Sequence, residues 1–177
     1  MSTIYLDMDG VIADFFAQLA AVEGVDHWKS ITDKEIALAK LRNTDFFYNI
    51  PMFENTGELL HGVSKLAKGN GMPWGICSSP LKNDTHNSAY HKRRWLELHG
   101  IAQQIRTEDI IFTSNKYKYA ISPITHRPNI LVDDRPQNIR SWEKAGGIGI
   151  RYQADEDDLE EYLFERLEQA INAVWRS

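Results

Sequence analysis

Ile4-Tyr5-Leu6-Asp7-Met8-Asp9-Gly10-Val11-Ile12-Ala13-Asp14-Phe15 begins as an apolar run and stops on two acids one residue apart. Packing alone gives little reason for such a stop, and it reads as a buried strand ending in a reactive site. Alternate side chains of an extended backbone share a face, so Asp7 and Asp9 start on the same side before Gly10 lets the chain turn sharply. Two carboxylates that close raise the pKa of one of them unless a cation intervenes. A bound metal and a proton-sharing acid/base pair both fit the pattern. So, for this motif taken alone, does a strand end with two solvated acids.

Composition narrows the setting. A chain of 177 residues, 42% hydrophobic and 25% charged, can bury one good core, with room for an insertion. Its net charge of -5 disfavours a binder of long nucleic acid, which needs a basic face to release counterions, but allows a small phosphate ester. The single cysteine, Cys77, excludes an intrachain disulfide and a cysteine-built zinc site. Its apolar neighbours make it a buried thiol, and a reducing, cytoplasmic setting is expected. No signal sequence opens the chain and no run approaches the roughly 20 apolar residues of a membrane span, so no membrane association is expected. The six histidines are scattered without metal-ligand spacing and read as surface or core residues.

Residues 14–61 read as helical and rich in aromatics: Phe15, Phe16, Trp28, Phe46, Phe47, Tyr48 and Phe53. Thr32 and Glu35 are spaced as a capping box. A helix over 56–68 follows, with Leu59, Leu60, Val63, Leu66 and Ala67 on one face and Gly69 and Gly71 as stops. Residues 73–77 form the next strand, running into Ser78-Ser79-Pro80. The helix over 88–99 carries Tyr90-His91-Lys92-Arg93-Arg94, which reads as a solvated cationic face. Strands over 109–112 and 129–132 end at Thr113-Ser114-Asn115-Lys116 and at Asp133-Asp134-Arg135-Pro136. A helix over 137–145, a strand over 149–152 and a final helix from about residue 155, striped by Leu159, Leu163, Leu167, Ile171 and Val174, complete the chain.

Strands alternating with helices imply an α/β fold, a Rossmann-like parallel sheet covered on both faces in three layers. Such sheets bind ligands at the carboxyl ends of their strands. Four strand ends carry Asp7 with Asp9, Ser78 with Ser79, Lys116, and Asp133 with Asp134. Their meeting at one edge is what packing does not explain.

In that order these residues resemble the signature of the haloacid dehalogenase-like phosphohydrolases: D-x-D-x-[TV], a Ser or Thr after a strand, a Lys, then paired acids. The resemblance narrows to the 5'(3')-deoxyribonucleotidases in the opening stretch through Phe15, in Asp45-Phe46-Phe47-Tyr48, in Ile76-Cys77-Ser78-Ser79-Pro80-Leu81-Lys82 and in Leu131-Val132-Asp133-Asp134-Arg135-Pro136. It spans nearly the whole chain. The departures lie mainly between Ala17 and Asn43, shorter than the family's cap, where Trp28 is the one match, and this leaves the base preference open. Lys116 is preferred over Lys118 because Thr113-x-x-Lys116 keeps the family's spacing.

The resemblance implies a phosphohydrolase core over 1–13 and 62–177 with a small helical cap over 14–61. It also implies a magnesium-dependent phosphatase of nucleoside monophosphates that works through an aspartyl phosphate. Asp7 would be nucleophile and metal ligand, Asp9 acid/base and carbonyl ligand, and Asp134 a metal ligand with Asp133 behind it. Lys116, Ser78 and Ser79 would hold the phosphoryl group, and Phe15, Trp28, Phe46, Phe47 and Lys82 the nucleoside. Pyrimidine deoxynucleotides are the implied substrates, and a homodimer is compatible with the family. A receiver domain places its acids in another order. A non-catalytic nucleotide-binding module, or a phosphatase of another metabolite or of a nucleic-acid 3' end, remains an alternative on the same fold.

Overall fold

The runs expected to be strands pair into one five-stranded sheet in the computed structural model, which describes residues 1–176. In chain order the elements are β1 (Ile4–Leu6), α1 (Phe15–Glu23), α2 (Lys34–Lys40), α3 (Thr56–Gly69), β2 (Trp74–Ser78), α4 (Thr85–Leu98), β3 (Ile110–Phe112), β4 (Ile130–Asp133), α5 (Pro136–Lys144), β5 (Ile148–Arg151) and α6 (Glu165–Arg176). All strand pairs are parallel and the spatial order is β3-β2-β1-β4-β5. Leu6 of the central strand sits opposite Ile76 on one side and Val132 on the other. The chain leaves β1 toward β2 and β3 and later returns to its other side, so the order reverses at β1, the place where such sheets open a crevice.

The strands are apolar on both faces because both are covered. Ile4, Leu6, Ile76, Ile130 and Val132 enter a large core with Leu59 and Val63 of α3, Trp95 and Leu96 of α4, and Leu167 and Ile171 of α6. Tyr5, Cys77 and Leu131 point into a smaller core closed by Ile139 and Trp142 of α5. The result is the three-layer α/β architecture expected from the alternation. Burial pushes the Cys77 thiol up to about 12. No helix among the described residues is long and apolar enough to cross a membrane.

Local expectations needed two adjustments. The capping box at Thr32 and Glu35 is replaced by Asp33, whose carboxylate accepts the Ile36 N–H at 3.0 Å, so α2 begins at Lys34. The final helix opens with a π-helical turn over Leu159–Phe164, capped by Asp158. Leu159, Leu163, Leu167 and Ile171 recur every four residues, which outpaces the 3.6-residue turn; the wider opening turn absorbs part of that drift.

The segment over 14–61 holds α1, α2 and short turns at Trp28–Ser30 and Phe46–Tyr48. Its Leu19, Ile31, Ala37, Leu41 and Ile50 belong to the same apolar cluster as the sheet. Asn87 of α4 donates to the Thr44 carbonyl at 2.9 Å and Trp95 Nε1 to the Ile50 carbonyl at 2.7 Å, fixing the segment's second half on α4. The boundary expected between residues 61 and 62 falls inside α3, which runs unbroken from Thr56 because Leu59, Leu60, Val63 and Ala67 all face inward.

Candidate active site

Asp7 is the first residue past β1, its N–H still bonded to the Val132 carbonyl at 2.9 Å. The chain then folds back tightly: the N–H groups of Val11, Ile12 and Ala13 all donate to the Met8 carbonyl, and Gly10 N–H donates to that of Ala13. Two outside contacts pin this loop. Thr56 Oγ1 donates to the Ile12 carbonyl at 2.8 Å, and Ala154 N–H to the Gly10 carbonyl at 2.9 Å. The loop that carries Asp7 and Asp9 is thereby pinned at the crevice.

Each acid has its own lysine. Lys116, on the turn after β3 and nearly fully buried, lies 3.0 Å from Asp7 Oδ1 and 2.5 Å from Asp133 Oδ2. Met8 N–H also donates to Asp7 Oδ1, at 2.8 Å. Lys118, two residues on, is exposed. Lys92 of α4 donates to Asp9 Oδ2 at 2.7 Å, to Ser78 Oγ at 3.0 Å and to the Ser79 carbonyl at 2.9 Å. Ser78 is fully buried at the last position of β2; Ser79 is half-buried beyond it.

These surroundings drive the two acids apart. Burial raises the Asp7 carboxyl, but Lys116 and then Lys92 outweigh it and hold the group below its ordinary value. For Asp9, burial and the nearby Asp7 outweigh Lys92, and the carboxyl is raised. Asp9 Oδ1 is buried and has no hydrogen-bond partner among the described residues. Paired groups pushed in opposite directions are the arrangement by which one acid stays ionised while its neighbour keeps a proton.

Asp133 and Asp134 complete the floor. Asp133 accepts from Lys116, from the Arg135 N–H at 2.9 Å and from Asn138 at both oxygens, so its acceptor sites are largely engaged. Burial and then Asp7 push it up to about 6, against the pull of Lys116. Burial followed by the charges of Asp7, Asp133 and Asp9 pushes Asp134 up to about 8. Arg135 is exposed, and only its backbone N–H serves the site. Asp7, Asp133 and Asp134 offer oxygens within 4.8 Å of one another. Four carboxyl groups gather against two ammonium groups, an excess of acid that a bound cation would relieve. All the donors are oxygens, the set that suits magnesium or calcium over zinc.

The aromatic candidates divide. Phe15 lies 6.1 Å from Phe47 with rings near parallel and 5.6 Å from Phe46 edge-on; Phe46 and Phe47 are buried. Lys92 Nζ sits 4.9 Å from the Phe47 ring centre, so this cluster borders the acids directly. Trp28 stacks instead on Phe16 at 4.7 Å, under Lys34 Nζ at 4.4 Å, one ring farther out than Phe15. Lys82 is exposed on the loop after β2.

Lys92 corrects the reading of α4. It was expected on a solvated cationic face and is instead 1% exposed within the site. Its run of charged neighbours hides it, but Ser88, Lys92, Trp95 and Leu96 share the buried face of α4 at spacings of four, three and one. A lysine on the apolar stripe of a helix is the signal that could have found it.

No family model matches the chain, and no curated protein matches it. Solved structures do. A dehalogenase aligns over 99% of this chain and 96% of its own with a TM-score of 0.54 and 12% identity. A HAD family hydrolase from Deinococcus radiodurans R1, with bound phosphate and sodium, aligns over 94% and 87% with a TM-score of 0.53 and 15% identity. An inactive mutant of the HAD domain of the effector protein Lem4 from Legionella pneumophila aligns over 99% and 96%, with a TM-score of 0.50 and 14% identity. Likeness at such identities is a likeness of backbone, and by it this chain has the fold of the haloacid dehalogenase-like hydrolases.

Proposed function

We propose that this protein is a magnesium-dependent phosphomonoesterase acting on nucleoside monophosphates, of the 5'(3')-deoxyribonucleotidase type. The observation that carries the reading is the pairing of Asp7, which Lys116, 3.0 Å away, holds below its ordinary value, with Asp9 two residues on, whose carboxyl burial raises. Asp7, Asp134 and the Asp9 carbonyl would hold the metal, with Asp133 orienting Lys116 and the loop from behind. When bound, magnesium neutralises phosphate charge and fixes one phosphate oxygen. Asp7 attacks phosphorus in line as the ester bond opposite it breaks, and Asp9 gives its proton to the departing oxygen. Asp9 then takes a proton from the water that attacks phosphorus, releasing phosphate and restoring Asp7. Lys116 and the Ser78 hydroxyl hold the negative charge that builds on the phosphoryl group. A halide leaves without a proton, so a carboxyl raised by burial at Asp9 suits an alkoxide leaving group better than a carbon–halogen bond.

Phe15, half-buried and backed by the buried Phe47 and Phe46, would offer the ring on which a base stacks, with Trp28, packed on Phe16, and the exposed Lys82 reaching the nucleoside from farther out. An unpaired ribose 2'-hydroxyl against those rings is penalised, which favours deoxynucleotides, and the family likeness favours pyrimidines. The substrate is thus a small nucleotide and not a long nucleic acid or membrane lipid, and the buried thiol suits a cytoplasmic, reducing setting. The test is kcat/KM for dUMP, dTMP, dGMP, UMP and a sugar phosphate, with magnesium and with chelator. Deoxynucleotides should exceed the sugar phosphate by about ten- to a hundredfold, the value of one stacked base, and Phe15→Ala should erase most of that margin. Equal rates across the panel would overturn the nucleotidase reading; full activity in chelator would overturn the metal.

A further inference from the structure

We propose that Lys92 is a positioning residue that aims the Asp9 carboxyl, rather than a ligand of the phosphate. The proposal rests on the phosphatase reading above and assigns a task within it. A lysine ammonium has three N–H donors. Lys92 directs one to Asp9 Oδ2, one to Ser78 Oγ and one to the Ser79 carbonyl, so its donor capacity is met by protein acceptors. Lys116, by contrast, has two ionic partners, Asp7 and Asp133, and keeps donor capacity for a phosphoryl oxygen. Lys92 is also walled off: it is 1% exposed, and the Phe47 ring lies 4.9 Å from its nitrogen. Buried lysines persist where they are paired, and this one ties three separate pieces together: the loop after β1, the end of β2 and the turn after it.

What those ties fix is a side chain that nothing else holds. The Thr56 hydroxyl and the Ala154 N–H set the course of the loop around Asp9. Among the described residues the Asp9 carboxyl has Lys92 as its one hydrogen-bonding partner, at Oδ2, and Oδ1 is buried without any. Anchoring Oδ2 fixes the direction in which the carboxyl is presented to the reacting ester. In the first step the phosphorus–ester oxygen bond breaks as the Asp7–phosphorus bond forms, and the Asp9 carboxyl proton passes to the ester oxygen. In the second, water oxygen bonds to phosphorus, its proton returns to the Asp9 carboxylate, and the Asp7–phosphorus bond breaks. Both transfers require the Asp9 carboxyl within hydrogen-bond reach of an oxygen on the far side of phosphorus from Asp7.

The test compares two esters in the magnesium-loaded protein carrying Lys92→Met, an unbranched neutral replacement. An alkyl phosphate needs its leaving oxygen protonated; p-nitrophenyl phosphate scarcely does. Lys92→Met should lower kcat/KM for the alkyl ester by about a hundredfold or more, and for p-nitrophenyl phosphate by less than about tenfold. With the latter, kcat should fall further than kcat/KM and a burst of p-nitrophenolate should precede slow turnover, because hydrolysis of the Asp7 intermediate still needs Asp9. Equal losses of kcat/KM on both esters, or no loss on either, would overturn the role. Should Lys92→Met not fold, Lys92→Gln, with two donors on a shorter stem, carries the same comparison. A crystal structure of the variant separates this proposal from the reading beneath it. Wild-type protein inert on both esters would sink the phosphatase, whereas an Asp9 carboxyl unmoved in the variant sinks the positioning role whatever the activity, and a displaced one supports it.

Discussion

Gly10 has a backbone φ of +82°, and a Cβ placed there would lie 2.6 Å from Asp134 Oδ2. The residue therefore does two things that no other can: it accepts the left-handed turn that brings Asp9 back toward Asp7, and it gives Asp134 room to stand against the loop. Gly10→Ala should cost about 1–3 kcal/mol of stability through backbone strain. Displacement of Asp134 should also weaken magnesium binding roughly 10- to 100-fold. Urea unfolding and calorimetric titration with magnesium read the two effects separately; unchanged metal affinity would remove Asp134 from the ligand set. The acids and Gly10 were legible in the sequence because an apolar strand stopping on D-x-D-G has few structural explanations. Lys92 was not, because in one dimension it is one of three adjacent cations, and only the helical register of α4 sets it apart.

Strands were the most readable elements. Each is a short apolar run closed by polar residues, and each was placed to within about one residue of its observed ends. Their lateral order could not be read, since nothing in β1 states that β2 and β4 will flank it. Nor could the sequence tell that residues 14–61 share the main core, because aromatic content is the same for a detached cap and for a layer pinned by Asn87 and Trp95. Gly75 carries a constraint that becomes visible only in three dimensions. It lies inside β2, and a Cβ there would come 2.3 Å from the Asp109 backbone carbonyl, so the turn leading into β3 passes directly over it. Gly75→Ala should push that turn away and destabilise the protein by about 1–3 kcal/mol, measured as a lower urea midpoint with an unchanged slope. A neutral substitution would show that the turn is free to shift.

Across the whole molecule, the surplus of acids makes stability depend on pH and metal together. Asp133, Asp134 and Asp9 all have folded values above the unfolded carboxylate value of about 3.9. The folded state then binds protons that the unfolded state does not, and stability falls as pH rises through the folded values of about 6 for Asp133 and about 8 for Asp134. Asp7 is lowered, so its contribution is lost only in acid below that window; Lys116 is raised, and its contribution fades only in strong alkali. Metal-free protein should accordingly lose at least about 1 kcal/mol between roughly pH 5 and pH 8, or about 2–4 °C in Tm. Magnesium at a hundredfold excess over Kd should restore about 2.7 kcal/mol at the upper end. A Tm rising over that range without metal would show that the acids are balanced by other means.

The covalent role of Asp7 can be tested by trapping. Asp9→Asn should still transfer phosphate from p-nitrophenyl phosphate, whose leaving group needs little help, yet hydrolyse the intermediate slowly. Rapid acid quenching with phosphorus-labelled ester, followed by peptide mapping, should find the label on Asp7 in Asp9→Asn and none in Asp7→Asn, which should retain less than about a thousandth of wild-type turnover. Label on any other residue, or an active Asp7→Asn protein, would contradict it.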